Sequence, residues 1–112
     1  MELSKKYGNK NNVNLKKCIV VKEATLQNDY FRRVLVTSNN QQLVIMSLKP
    51  EEDIGYEVHN HHDQCIRVEK GSGQLILNDK YYQLYDGIIV MFPAGTYHIL
   101  INTSKIIDLK LY

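Results

Sequence analysis

The chain has 112 residues, 44% of them hydrophobic, with 14 basic against 12 acidic side chains and a formal charge of +2. That length accommodates one domain around a single core, and no apolar run approaches the roughly 20 residues a membrane span needs. The charge is uneven: residues 1–17 carry five lysines and one acid, whereas residues 18–112 carry nine basic and eleven acidic groups, so the folded part lacks the clustered Lys, Arg and aromatic face that nucleic-acid binding requires.

Residues 1–17 are polar, rich in Asn and Lys, and show no hydrophobic period, which predicts a flexible leader. No apolar stretch there precedes a small-residue cleavage site, so a cytoplasmic location is expected. From residue 18 the pattern changes to short β-branched and aromatic runs. Strands are predicted over 18–21, 31–37, 43–48, 56–59, 64–70, 73–77, 80–84, 87–91, 97–101 and 106–112. Turn residues such as Gly71-Ser-Gly, Asn78-Asp79, Asp86-Gly87 and Pro93-Ala-Gly95 separate them. Only 23–30 has the composition for a helical turn, and no segment keeps the spacing of a longer helix. The prediction is an all-β domain over 18–112, a sandwich or a closed barrel. Cys18 and Cys65 form no C-x-x-C pair and are expected as free, largely buried thiols.

All four histidines lie in two short segments. The first runs Gly55, His59, His61, His62, Gln64 and Gly71; the second runs Gly87, Pro93, Gly95, His98 and Asn102. Three imidazoles within four positions, with a fourth beside a Pro-x-Gly turn, are most simply gathered round a metal ion. Alternation along 64–69 puts Gln64 on the face of Ile66 and Val68, with Cys65, Arg67 and Glu69 on the other. Gln64 then points inward and needs a polar partner there, while Arg67 faces an outer ion pair or a subunit contact. Gly71, Gly87 and Gly95 are expected at reversals needing positive φ. Tyr56, Tyr81, Tyr82, Tyr85 and Tyr97 are expected in barrel packing and at the mouth.

These segments resemble the paired motifs of the cupin superfamily. The second matches the family pattern at each defined position; the first is shortened and has Gln64 where a carboxylate is usual. The strand Asp63-Gln64-Cys65-Ile66-Arg67-Val68-Glu69 is similar to that of small single-domain bacterial cupins, often labelled mannose-6-phosphate isomerase-like. The resemblance implies a double-stranded β-helix, or jelly-roll barrel. It also implies a divalent transition metal (Fe, Mn, Co, Ni, Cu or Zn) held by His59, His61, Gln64 and His98. Strand parity leaves a choice open: His59 and His61 share one direction, His62 and Gln64 the other. Either a bulge restores the direction or His62 replaces His61. With Gln64 in place of a carboxylate the site is one unit more positive, which favours an anionic or other small-molecule ligand. A homodimer covering the early edge strands is expected. Three functions are consistent with this reading: a metal-dependent isomerase or dioxygenase acting on a small oxygenated or sugar-like molecule, a non-catalytic sugar or anion binder, and a scaffold with a degenerate site. No catalytic acid, base or nucleophile is named.

Overall fold

The computed structural model describes residues 18–112; the leader expected over residues 1–17 lies outside the described residues. One helix, α1 (Val21–Gln27), precedes β1 (Arg32–Thr37), β2 (Gln42–Leu48), β3 (Asp53–Glu57), β4 (Gln64–Lys70), β5 (Gly73–Leu77), β6 (Lys80–Leu84), β7 (Ile89–Phe92), β8 (His98–Asn102) and β9 (Leu109–Leu111). The strands form two antiparallel sheets in the orders β1-β2-β9-β4-β7 and β3-β8-β5-β6. After β2 the chain crosses from sheet to sheet at each connection except the β5–β6 hairpin, and β9 returns between β2 and β4, which is a jelly-roll arrangement. No helix among the described residues is long and apolar enough to cross a membrane.

Period-two alternation builds the core between the sheets. In β4, Ile66 and Val68 are buried while Cys65 is exposed; in β8, His98, Leu100 and Asn102 are buried while Ile99 and Ile101 are half-buried. Leu48, Val68, Leu75, Leu84, Leu100, Leu109 and Leu111 form the centre of the cluster. Each such side chain contributes about 1.5–3 kcal/mol by leaving water.

Two local expectations need correction. Residues 18–21 form no strand: 18–20 are irregular and Val21 opens α1. A run such as Ile19-Val20-Val21 favours extended backbone locally, but here tertiary packing decides. Strand β2 is buried on both faces, with Leu48 inward and Ile45 and Ser47 outward, and α1 packs over the outer side of β2, β4 and β9. Lys110, opposite Ser47 on β9, is buried on that same side. Its Nζ donates to the Asn28 carbonyl and pairs with Asp29 at 3.2 Å, so the cover is tied to the sheet by a charge that has a partner. The helix ends at Gln27, short of the expected 30, because the Asn28 side chain engages both the N–H and the C=O of Tyr30. The second correction concerns the thiols: Cys18 and Cys65 are both exposed. Cys65 has the outward parity of β4 and lies opposite Met91 on β7, which is 76% exposed.

The reversals follow the sequence. Asn78 and Asp79 both have positive φ, at 44° and 69°, as a two-residue type I′ hairpin requires. Gly71, Gly87 and Gly95 all lie at positive φ.

Candidate metal centre

Asn102, the last residue of the second motif, is fully buried. Its Nδ2 donates to the Leu48 and Ile107 carbonyls and its Oδ1 accepts from the Ser104 N–H. That network fixes one end of β8. His98 stands at the other end, where β8 faces the opening between the sheets. Its ring is buried, and Phe92 of the facing sheet lies against it with ring centroids 5.0 Å apart.

The orientation of His98 is set by its own turn. Nδ1 lies 3.2 Å from the Thr96 carbonyl, and a carbonyl only accepts, so in the neutral ring Nδ1 carries the proton and Nε2 presents a lone pair. That is the tautomer of a metal-ligating imidazole steadied by a backbone carbonyl. Nε2 lies 3.7 Å from Glu57 Oε2, and the same carboxylate oxygen lies 3.7 Å from His59 Nε2. The donor atoms of Glu57, His59 and His98 all lie within 4.8 Å of one another. Metal bonds of about 2.1 Å place neighbouring tetrahedral donors roughly 3.4 Å apart, so the two Glu57–histidine separations of 3.7 Å need only slight tightening, while the set as a whole, spread over up to 4.8 Å, closes by more than about 1 Å to hold a transition-metal ion. His98 is the deep anchor, at 5% side-chain exposure, against 38% for His59 and 49% for Glu57.

Glu57 is the residue that the motif reading passed over. Ile54 lies opposite Leu100 and Glu57 opposite His98, so β3 spends three steps where β8 spends two. This bulge, spanning Gly55 and Tyr56, reverses parity and turns Glu57 to the face of His98. The signal was present in Gly55, an isolated glycine within a strand pattern.

The first histidine segment is a loop. Strand β3 ends at Glu57 and residues 58–63 are irregular, so the parity rule applied to His59, His61, His62 and Gln64 does not operate there. Two hydrogen bonds to the Pro93–Gly95 turn hold the loop: Gly95 N–H donates to the His59 carbonyl at 2.8 Å, and Ala94 N–H to Asp63 Oδ1 at 2.9 Å. The two motifs are thereby fastened together by one backbone–backbone hydrogen bond and one to the Asp63 carboxylate. His62 is exposed, with its ring 5.3 Å from that of His59. His61 is also exposed, and both stand outside the group of Glu57, His59 and His98. Gln64 opens β4 directly opposite Phe92. Directly paired residues share a face, so the amide lies on the interior wall that carries the Phe92 ring to His98. Arg67 faces outward as expected and pairs with Glu69 at 3.5 Å. Tyr56 and Tyr97, adjacent in sequence to Glu57 and His98, stack with ring centroids 5.1 Å apart. The five tyrosines expected as packing and mouth residues are all exposed.

A two-sheet jelly roll with imidazoles and a carboxylate at one open end defines a class of small barrel proteins, and the comparisons agree. The family described as Cupin domain matches residues 44–112, more than half of the chain, and the chain belongs to that family. It is 50% identical over 95 residues to the uncharacterized protein L612 of Acanthamoeba polyphaga mimivirus, covering 82% of this chain and 59% of that protein. It is 40% identical over 98 residues to the uncharacterized protein YrkC of Bacillus subtilis (strain 168), covering 82% and 52%. The chain thus spans little more than half the length of these curated relatives. The crystal structure of BH2720 from Bacillus halodurans superposes with a TM-score of 0.79 at 33% identity, over 94% of this chain and 80% of that one. None of these three names carries the mannose-6-phosphate isomerase label.

Proposed function

We propose that the protein holds a divalent transition metal at Glu57, His59 and His98 and acts there on a small oxygenated molecule, of the sugar or organic-acid kind, that enters between the sheets. The observation that carries this reading is the setting of His98: a buried imidazole whose Nδ1 faces the Thr96 carbonyl and whose Nε2 lies 3.7 Å from a carboxylate shared with a second histidine. Two imidazoles and one carboxylate leave positions open for a ligand and suit Fe, Mn, Co, Ni, Cu or Zn. A bound ion would supply Lewis acidity toward a carbonyl, carboxylate or hydroxyl oxygen, or redox chemistry.

The chain's own residues supply the rest. Phe92 closes the wall beside His98 and keeps water from that side. Gln64, on the same wall, offers an amide that donates to a ligand oxygen or accepts from a hydroxyl. Because Glu57 supplies the carboxylate that Gln64 lacks, the cluster with a divalent ion keeps a net positive charge and attracts an anion. His62, its ring 5.3 Å from that of His59 and tilted against it, screens the loop side and becomes a further donor if the loop closes by a few ångström. A homodimer paired along β1, the exposed edge of the five-stranded sheet, and a cytoplasmic setting belong to the same reading.

The test is element analysis of protein purified without a metal-affinity column, followed by reconstitution and a turnover screen over sugars and small hydroxy and oxo acids. About one ion per chain with turnover supports the enzyme. An ion without turnover points to a binding module, and no ion after reconstitution with all six metals refutes the metal centre.

A further inference from the structure

One row of residues crosses the four-stranded sheet at the mouth: Glu57 opposite His98, His98 opposite Leu77, and Leu77 opposite Lys80. Direct cross-strand partners project to one face. Leu77 packs against the core, so that face is the interior and Lys80 lies on its rim. Lys80 is two strands from His98, about 10 Å between Cα positions at the usual strand spacing. Its ammonium is exposed and enters no ion pair among the described residues. Tyr82, two residues further on and opposite Leu75, points the same way and is 43% exposed. The spacing is fixed, because Asn78 at the hairpin tip exchanges two hydrogen bonds of 3.0 Å with Tyr97, the residue before His98.

We propose that Lys80 is a specificity-determining residue of this site, the anchor for a second acidic group on a ligand whose first oxygen donor sits at the His98 end of the row. This rests on the metal reading above and narrows it to a substrate class, short dianions such as dicarboxylates or phosphorylated acids, whose charges are a few bonds apart. The intervening wall is Leu77, flanked by Tyr82, so the connecting segment is apolar. The cations at the two ends of the row are the bound ion and Lys80. Glu57 lies beyond His98, away from Lys80, and does not oppose the distal anion.

The experiment uses the full chain loaded with Mn(II), titrated calorimetrically first with the metal and then with glutarate or with valerate, in which a methyl group replaces the distal carboxylate. A rim ion pair contributes under about 1 kcal/mol, so glutarate is expected to bind about three- to fivefold more tightly than valerate. Raising the salt concentration should shrink that preference. Lys80→Met should abolish it while leaving Mn(II) affinity unchanged, and Lys80→Arg should retain it. Equal binding of the two acids by the parent protein, or a preference that survives in Lys80→Met, overturns the proposal while leaving the metal centre standing. Failure to bind Mn(II) or any other of the six metals removes the metal centre and this proposal with it.

Discussion

Glu57 faces His98 because β3 holds one more residue than β8 between that pair and the pair Ile54 and Leu100. Without the bulge, Tyr56 would stand opposite the histidine and the carboxylate would turn to solvent.

That relationship orders the effects of substitution. His98→Ala removes the buried donor and Glu57→Gln the shared carboxylate, and each should weaken divalent-metal affinity by at least about 100-fold, more than loss of a supporting hydrogen bond costs a metal site. His61→Ala should change it less than about threefold, since His61 lies outside the cluster and is exposed. Calorimetric titration of the three variants decides. An equal loss from His61→Ala and His98→Ala would mean that the loop reorganises around the ion.

Acidification should release the ion. Only neutral imidazole coordinates, so protons compete with metal for His59 and His98. A metal that binds the native chain alone adds stability of about 2.7 kcal/mol at a hundred times its Kd. That increment is present near neutrality and is lost as the pH falls through the range of imidazole protonation. In melting curves the difference between metal-loaded and metal-free protein should exceed about 10 °C near neutral pH and vanish near about pH 5. A difference that persists in acid would place the ion on carboxylates instead.

Two glycines should respond oppositely to a methyl group. A Cβ on Gly55 meets nothing within 4 Å, and Gly55 →Ala should raise stability by about 0.4–1 kcal/mol through the unfolded chain. A Cβ on Gly73 would lie 2.6 Å from the Ile101 carbonyl oxygen and 3.0 Å from Leu109, so Gly73→Ala should cost about 1–3 kcal/mol. Denaturant midpoints of the pair are the check.

Asn102→Ala should be among the more damaging single changes. It strips the Leu48 and Ile107 carbonyls and the Ser104 N–H of their buried partner, a loss of about 3 kcal/mol and a drop of more than about 10 °C in Tm.

Most of the strands were legible because their outer faces meet water and their inner faces meet the core, so the period of two survives, as in β4 and β8. Strands β2 and β4 stayed legible even beneath α1, and the reading failed at 18–21, where Ile19-Val20-Val21 has the composition of a strand but leads into the helical cover. At the site, the resemblance and the residue types brought out His59 and His98. Glu57 shares the parity of His59 in the expected strand 56–59, but the motif reading took its carboxylate position at Gln64 and passed over it; the bulge that brings it opposite His98 leaves no mark in composition. His61 and His62 were weighed as strand positions, whereas hydrogen bonds from Ala94 and Gly95, some thirty residues further along, hold their loop.

The hairpin tip and the histidine loop form opposite sides of the mouth and are fastened unequally. On the β6 side, Asn78 and Tyr97 close a reciprocal pair of hydrogen bonds within a continuous sheet. On the other side, residues 58–63 hang from two hydrogen bonds to the 93–95 turn. If the proposed site takes a ligand, the entrance would work as a fixed jamb and a hinged door, with the ligand passing on the side of His61 and His62, and amide hydrogen exchange should then be faster at Gly95 than at Asn78. If a guest slows exchange at Gly95 and leaves Asn78 as it was, the door has shut behind it.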